Sequence, residues 1–133
     1  MKKRLLTYLF LFPCFALANQ ETLSIDTPLP SEFELVFPND TNLQPEESEF
    51  RVLDFVLMSN EKGERWVVVT LKNEASGRRT FNHKHIMGLL ADGTRLHPRK
   101  ISQSFVAKES LSVIIDFGPN KFPLLRVYSR LAQ

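Results

Sequence analysis

Short segments of β-strand composition alternate with turn residues along most of this chain, at intervals of about 8 to 12 positions. The clearest are residues 51–58 and 65–72, which are rich in β-branched and aromatic side chains. The turn at 60–63 is expected to join them as a hairpin. Alternation within the second segment places Val67, Val69 and Leu71 together on one face, as in a strand that is buried on one side.

The rest of the chain continues this pattern. Further strands are predicted at 33–37, 80–90, 94–98, 103–107, 111–117 and 124–128. Asp92-Gly93 is the strongest short hairpin signal in the chain. No convincing helix follows residue 18, and no internal repeat is detectable. We therefore predict an all-β fold of about seven or eight short strands, a β-sandwich or barrel.

The succession of strands and turns also resembles a known class of domain. The residues concerned are Val67-Val68-Val69-Thr70-Leu71-Lys72-Asn73, Phe81, Leu89-Leu90-Ala91-Asp92-Gly93-Thr94, Pro98, Ser110-Leu111-Ser112-Val113-Ile114-Ile115-Asp116-Phe117 and Pro123-Leu124-Leu125-Arg126-Val127. Their order resembles small exported bacterial immunoglobulin-like domains over residues 51–130, without the cysteine pair of antibody-type domains. The resemblance implies an immunoglobulin-like β-sandwich that binds or scaffolds, and it supplies no site residues.

The N-terminus has the three-part layout of a secretory signal peptide. Met1-Lys2-Lys3-Arg4 is the positive start, residues 5–12 are the apolar run, and Ala16-Leu17-Ala18 provides the small side chains that a signal peptidase requires. An uncleaved membrane anchor would need about 20 continuous apolar residues, and this run is shorter and ends at Pro13. Bulky residues precede Cys14, which argues against a lipid-anchored form.

Cleavage is expected after Ala18. The predicted parts are a signal peptide at 1–18, an extended arm at 19–31 and a β-sandwich domain at 32–133. The mature chain is then periplasmic or secreted and has no transmembrane segment. It also has no disulfide, because the only cysteine leaves with the leader.

Charge is distributed unevenly along the chain. Without the leader, 14 basic and 15 acidic residues remain, and this near-neutral balance argues against a nucleic-acid partner. Residues 19–50 carry eight acids and no base, whereas residues 51–133 carry 14 bases and seven acids. Either the acidic segment lies over the basic body and neutralises it, or the body presents a basic surface to an anionic partner.

The sequence lacks the common catalytic motifs. There is no Gly-x-Ser-x-Gly turn and no phosphate-binding glycine loop, and the predicted mature chain has no cysteine nucleophile. His83, His85 and His97 are available for a triad, but no serine lies in an activating context. We therefore predict a non-catalytic binding or accessory module of the bacterial cell envelope, with no cofactor.

A copper-handling protein is the first alternative. If 80–90 is one strand, His83, His85 and Met87 project from the same face at spacings of about 6.5 to 7 Å. Two imidazoles and a thioether suit copper. The favoured interpretation is an apolar strand face with the histidines toward its edge. A two-residue Asp92-Gly93 turn would place His97 opposite Gly88 and away from this set.

The same register predicts a basic surface on the hairpin, with Lys84, Arg95, His97 and Arg99 on one face. The residues predicted to contact a partner are Arg78, Arg79, Lys84, Arg95, His97, Arg99 and Lys100. Another envelope protein, or an anionic glycan or lipid surface, would suit them. Charges on a hairpin also serve solubility and prevent edge pairing. In a further alternative, the arm at 19–31 adds a strand to a neighbouring subunit of an envelope assembly.

Overall fold

The computed structural model describes residues 22–30, 32–38 and 43–133, and over these residues the chain is all-β. The predicted signal peptide and its cleavage site lie outside the described residues. The strands are β1 Ser24–Ile25, β2 Glu47–Ser48, β3 Phe50–Ser59, β4 Glu64–Asn73, β5 Arg79–Asn82, β6 Met87–Leu90, β7 Arg95–Leu96, β8 Ser102–Phe105, β9 Ser110–Pro119, β10 Leu124–Tyr128 and β11 Arg130–Leu131. A short 3-10 turn, His83–His85, separates β5 from β6.

A four-stranded antiparallel sheet in the order β1-β3-β4-β9 forms one layer of the molecule. The predicted hairpin is confirmed as β3 and β4, with the turn at 60–63 between them. Val67, Val69 and Leu71 are fully buried, as the alternation predicts. From the predicted arm, Ser24 and Ile25 pair with Ser59 and Met58 of the same chain.

The remaining strands form smaller sheets that share the core with the first layer. Their orders are β10-β6-β7 and β5-β8, both antiparallel, while β11 runs parallel to β2. At the centre, the ring of Phe50 lies 5.3 Å from that of Phe81 and 5.1 Å from that of Phe105, each pair edge to face. Burial of each phenyl ring contributes about 1.5 to 3 kcal/mol. Several sheets around one core are consistent with a β-sandwich.

Gly88 of β6 marks the closest approach between the layers. A Cβ atom at this position would lie 2.7 Å from side-chain atoms of both Phe117 in β9 and Leu124 in β10. Only glycine avoids that overlap, because a real Cβ does not approach other atoms so closely. This residue therefore sets how tightly the two layers pack.

Asn73, at the end of β4, is the buried polar residue of the core. Its side-chain amide nitrogen donates to the carbonyl oxygens of Gly77 and Val106 at 3.0 Å, and its oxygen accepts from the Ala75 N–H at 3.0 Å. Buried amides of this kind are retained when all their hydrogen bonds are made. Asn73 thereby ties the β4–β5 and β8–β9 connections to the sheet.

The predicted strand at 33–37 is wrong, because residues 32–38 belong to no strand. The Arg126 guanidinium instead donates to the Phe33 carbonyl at 3.3 Å, and the Tyr128 hydroxyl donates to the Leu43 carbonyl at 3.3 Å. Register places Arg126 and Tyr128 on the side of β10 that faces away from the core. The segment therefore lies over the outside of the β10-β6-β7 sheet, without a ladder of its own.

Two buried residues of β6 are not part of the core cluster. Met87 and Leu89 of β6 are opposite Tyr128 and Arg126, and so point away from the core. They are nevertheless only 4% and 2% exposed. The side chain of Tyr128 contacts the sulfur of Met87 on this side of the sheet, and the ring of Phe37 lies against Gly93 at the end of the same hairpin.

The predicted continuous strand at 80–90 is also wrong. The chain forms β5, turns through the 3-10 segment His83–His85 and resumes as β6. The Asn82 side chain accepts from the Lys84 N–H at 2.9 Å, and the His85 Nδ1 accepts from the Asn82 N–H at 3.1 Å. This reciprocal capping box satisfies the backbone groups that a continuous strand would otherwise pair.

The hairpin at Asp92-Gly93 is present, but its loop has three residues instead of two. Leu90 donates its N–H to the Thr94 carbonyl at 2.8 Å, and Gly93 has a φ of +87°, which favours glycine. Hydrogen bonds from the Thr94 N–H and hydroxyl hold the pKa of Asp92 below its usual value. The longer loop shifts the register by one residue, so Gly88 faces Leu96 and not His97.

Candidate interaction surface

The structure separates the three residues of the predicted copper set. His83 and His85 lie in the 3-10 turn, so they do not alternate with Met87 along one strand face. Met87 points to the outer side of the β10-β6-β7 sheet, where its sulfur is 3.7 Å from the Tyr128 hydroxyl. Within the described part of the chain, no three His, Cys, Asp or Glu side chains lie close enough to share a metal ion.

His85 is held as a neutral imidazole at the edge of the aromatic core. Its ring centroid is 5.6 Å from that of Phe50 and 6.0 Å from that of Phe81. Burial lowers the pKa of His85, although the carboxylate of Glu46 opposes part of this effect. Because Nδ1 accepts from the Asn82 N–H, protonation would remove the acceptor of the capping box.

His97 lies next to His83, contrary to the predicted register. The two ring centroids are 6.5 Å apart. The Nδ1 of His97 is 3.1 Å from the His83 carbonyl oxygen and 3.0 Å from that of Ile86. Both partners are acceptors, so Nδ1 carries the proton in this arrangement. His97 therefore fixes the end of the 3-10 turn.

Three of the predicted contact residues are instead used within the fold. Arg79 forms an ion pair with Glu49 at 2.7 Å, and Arg99 pairs with Asp116 at 3.0 Å. Arg95 lies over the Tyr128 ring, 5.2 Å from its centroid. The register between β6 and β7 places Arg95 opposite Leu89, on the outer side of the β10-β6-β7 sheet. The prediction that Lys84, Arg95, His97 and Arg99 share one face is therefore wrong, because Lys84 lies in the 3-10 turn and the shifted hairpin register places Arg95 opposite Leu89.

The other three basic residues flank the outer side of the β5–β8 pair. Thr80 pairs with Ser104, and Asn82 pairs with Ser102, on the side opposite the buried rings of these strands. The Arg78 guanidinium donates to the Ser104 hydroxyl at 3.1 Å. We call this surface the basic face. It consists of Arg78, Thr80, Asn82, Lys84, Lys100, Ser102 and Ser104.

One end of the basic face forms a shallow groove. The residues that line this groove are Glu46, Asn82, His83, Lys84, Lys100, Ile101 and Ser102. The Lys84 ammonium is 4.0 Å from the Glu46 carboxylate, and both side chains are more than half exposed. An exposed ion pair at this distance contributes little stability, so the lysine is available to another anion.

The hydroxyl and amide members of the basic face were missed from the sequence. Thr80 and Asn82 alternate with Phe81, and Ser102 and Ser104 alternate with residues that face the other way, so each strand has the expected period of two. These two polar rows form one surface because β5 pairs with β8, and this pairing joins strands that are distant in sequence.

The acidic segment neutralises part of the basic body, which is the first of the two predicted explanations for the uneven charge. Glu47 pairs with Arg130 at 3.0 Å, in addition to the pairs made by Glu46 and Glu49. All three acids come from the residues just before β3. The bases at 78, 84 and 100 stay exposed.

Comparison with protein-family models, with curated proteins and with solved structures finds no match to this chain. In the described ranges, no helix has the length and apolar character needed to cross a membrane.

Proposed function

We propose that this protein is an exported, non-catalytic binding module of the bacterial cell envelope, and that it recognises an anionic partner through the basic face. The observation that carries this proposal is the composition of that face. Exposed Arg78, Lys84 and Lys100 surround hydroxyl and amide groups on two paired strands that contain no acidic residue. Ammonium, guanidinium and hydroxyl donors together suit carboxylate, sulfate or phosphate groups.

An immunoglobulin-like arrangement of the sandwich is part of this proposal. In such domains the first, second and fifth strands lie in one sheet, and the third and sixth pair in the other. The order β3-β4-β9 and the pairing of β6 with β10 agree with that scheme when these five strands are matched in sequence order. Export is supported by the layout of the N-terminus, with its positive start, apolar run and small residues before position 19.

Charge reversal on the basic face tests the function. The double variant Lys84→Glu, Lys100→Glu is compared with Lys62→Glu, Lys121→Glu, which makes the same change in net charge in the loops beside Gly63 and Asn120. Both variants and the parent are cosedimented with isolated cell envelopes at low and high salt. The parent and the control should bind, less so at high salt, and the basic-face variant should lose most of its binding.

Competition then identifies the partner class. Anionic lipid vesicles, a sulfated polysaccharide and an acidic protein are added separately to the parent protein with the envelopes. Displacement by one of them names the chemistry of the partner. Equal binding by the two double variants would exclude the basic face as the contact surface.

A further inference from the structure

The outer edge of β9 has no strand beside it in the described part of the chain. β9 pairs with β4 along its length, and it is the last strand of the four-stranded sheet. The Asp116 carbonyl points away from β4, because it accepts from the Arg99 N–H at 2.8 Å. Backbone groups alternate in direction along a strand, so Ile114 and Ser112 also direct their N–H and C=O groups to the open side.

This edge lacks the usual protection against pairing. Residues 110–115 contain no charged residue and no proline, and their ladder with β4 is regular. Ile114 is 61% exposed on the outer face of the sheet. Natural edge strands normally carry a lysine, a proline, a bulge or a covering segment, because an open, uncharged edge is a template for another strand.

We propose that this edge is a homodimerisation site, at which β9 of a second copy adds in antiparallel orientation about a twofold axis through Ser112. This inference goes beyond the proposed function and does not depend on it. The axis places Ser112 of the two copies opposite each other and Ser110 opposite Ile114. The two outward-facing rows of backbone groups then satisfy each other, as in other cases of strand addition.

Charge complementarity selects a second copy as the occupant. Lys108 and Glu109 precede the open stretch, and the pair of Asp116 and Arg99 ends it. Antiparallel pairing about Ser112 brings Glu109 of one copy, the residue just before β9, towards Arg99 of the other. Lys108 lies in the turn before the strand, where its ammonium is bonded to the Glu74 carbonyl. Opposite charges therefore meet at both ends of an uncharged centre.

The outer face of the sheet adds apolar area to this contact. Val56 of β3, Val68 of β4 and Ile114 of β9 form one row across the sheet, and Val56 is 39% exposed. In the dimer Ser110 of the second copy lies beside Ile114, so the row ends at Ile114, and this side chain contributes the apolar area at the contact. Because the edge itself is short, the interface is small and the dimer dissociates on dilution.

A charge swap at the axis tests the proposal. The full chain is expressed, and the form of the protein that accumulates is purified and studied by sedimentation velocity up to about 1 mM. The parent should show a reversible monomer–dimer equilibrium. Ser112→Lys and Ser112→Glu place like charges opposite each other, and each should weaken dimerisation by about fivefold or more. An equimolar mixture of the two variants should restore the dimer.

Thr70→Val is the matched control. The Thr70 hydroxyl makes a 2.9 Å hydrogen bond with the Ser112 hydroxyl, which both charge variants also lose. This variant leaves the open edge intact and should dimerise like the parent. Hydrogen exchange gives a second measurement: the amides of Ser112 and Ile114 should gain protection with concentration, whereas Val113 is protected throughout by β4.

A protein that stays monomeric to the highest concentration would overturn the proposal. So would a dimer that forms equally well in the parent and in both Ser112 variants. Neither result bears on the basic face, whose test uses other residues and another measurement.

Discussion

The two edges of the four-stranded sheet differ in how they are protected. β3 has β1 beside its end at Met58 and Ser59, while the Ser129 hydroxyl donates to the Phe50 carbonyl at the other end. Between these two ends, β3 has a bulge at Leu53. The residues on either side of it, Val52 and Asp54, pair with β4. β9 has none of these features over residues 110–115.

Asp54 completes the protection of β3. Its carboxylate accepts from the N–H of Phe55 at 2.8 Å, which occupies a donor in the middle of the edge. A covering strand, a bulge and an acidic side chain are all devices that prevent edge-to-edge pairing. Among the described residues, several features thus block pairing at the edge of β3, and none of them is present at the edge of β9 over residues 110–115.

The largest expected effect comes from the central strand that supports both edges. Asn73→Ala removes three hydrogen bonds at the buried end of β4 and leaves the Ala75 N–H without its acceptor. We expect it to lower the free energy of unfolding by about 3 kcal/mol, measured by urea denaturation. Dimerisation through β9 and attachment of the arm to β3 should both weaken, since both depend on this sheet.

Asn60→Ala is the control for that experiment. In the half-buried turn between β3 and β4, the Asn60 side chain accepts from the Glu64 N–H and donates to the Glu64 carboxylate, both at 3.0 Å. Its loss should cost about 1 kcal/mol or less, because water replaces the missing partners. Equal costs for the two variants would show that burial of Asn73 is not what makes it important.

A smaller effect is expected when the contact between the arm and the end of β3 is weakened. The Ser59 hydroxyl donates to the Asp26 carboxylate at 2.5 Å, and this bond holds the arm against the strand end. Ser59→Ala should cost about 1 kcal/mol, and it should speed proteolysis of the arm. Ser24→Ala is the control. It removes an exposed hydroxyl that donates to the Ser59 carbonyl at 3.2 Å, and the arm should stay attached.

The consequence of Ser59→Ala for association sharpens the comparison. If the arm protects β3, its release should add a second mode of self-association, which the Ser112 charge variants do not suppress. If association is unchanged, the bulge at Leu53 and the Asp54 carboxylate are sufficient to block this edge.

Local alternation predicted the central hairpin well, because Val67, Val69 and Leu71 pack against a neighbour that is adjacent in sequence. The same alternation at Phe33, Leu35 and Phe37 gave a strand that does not exist. Alternation reports which side chains are suited to burial, and it does not report whether a strand edge is available. Here the segment contacts β10, which lies far away in sequence, and Phe33 remains 55% exposed.

The candidate site was only partly predicted from the sequence, because it too depends on pairing between distant strands. Arg78, Lys84 and Lys100 are visible as a cluster in the sequence, but their surface is defined by the pairing of β5 with β8. The additional loop residue, Ala91, shifts the hairpin register by one, so that Arg95 lies opposite Leu89 and not Leu90. A single residue of register therefore decides which charges lie together, and composition does not determine it.

The smallest expected effect is the pH dependence of the start of β3, where the His85 ring lies against Phe50. Burial lowers the pKa of His85 in the folded state, so below the unfolded value of about 6.5 the unfolded chain binds more protons than the folded one. Stability should therefore fall as the pH decreases through this value and further through the lowered folded pKa.

His85→Gln isolates this contribution. The glutamine oxygen can accept from the Asn82 N–H as the imidazole does, and it does not titrate. Urea denaturation between about pH 7.5 and 5 should show a shallower loss of stability in the variant than in the parent. Hydrogen exchange should place the difference near Phe50, with the amides of β9 unaffected. An identical pH dependence in both proteins would mean that other groups control the acid sensitivity of the fold.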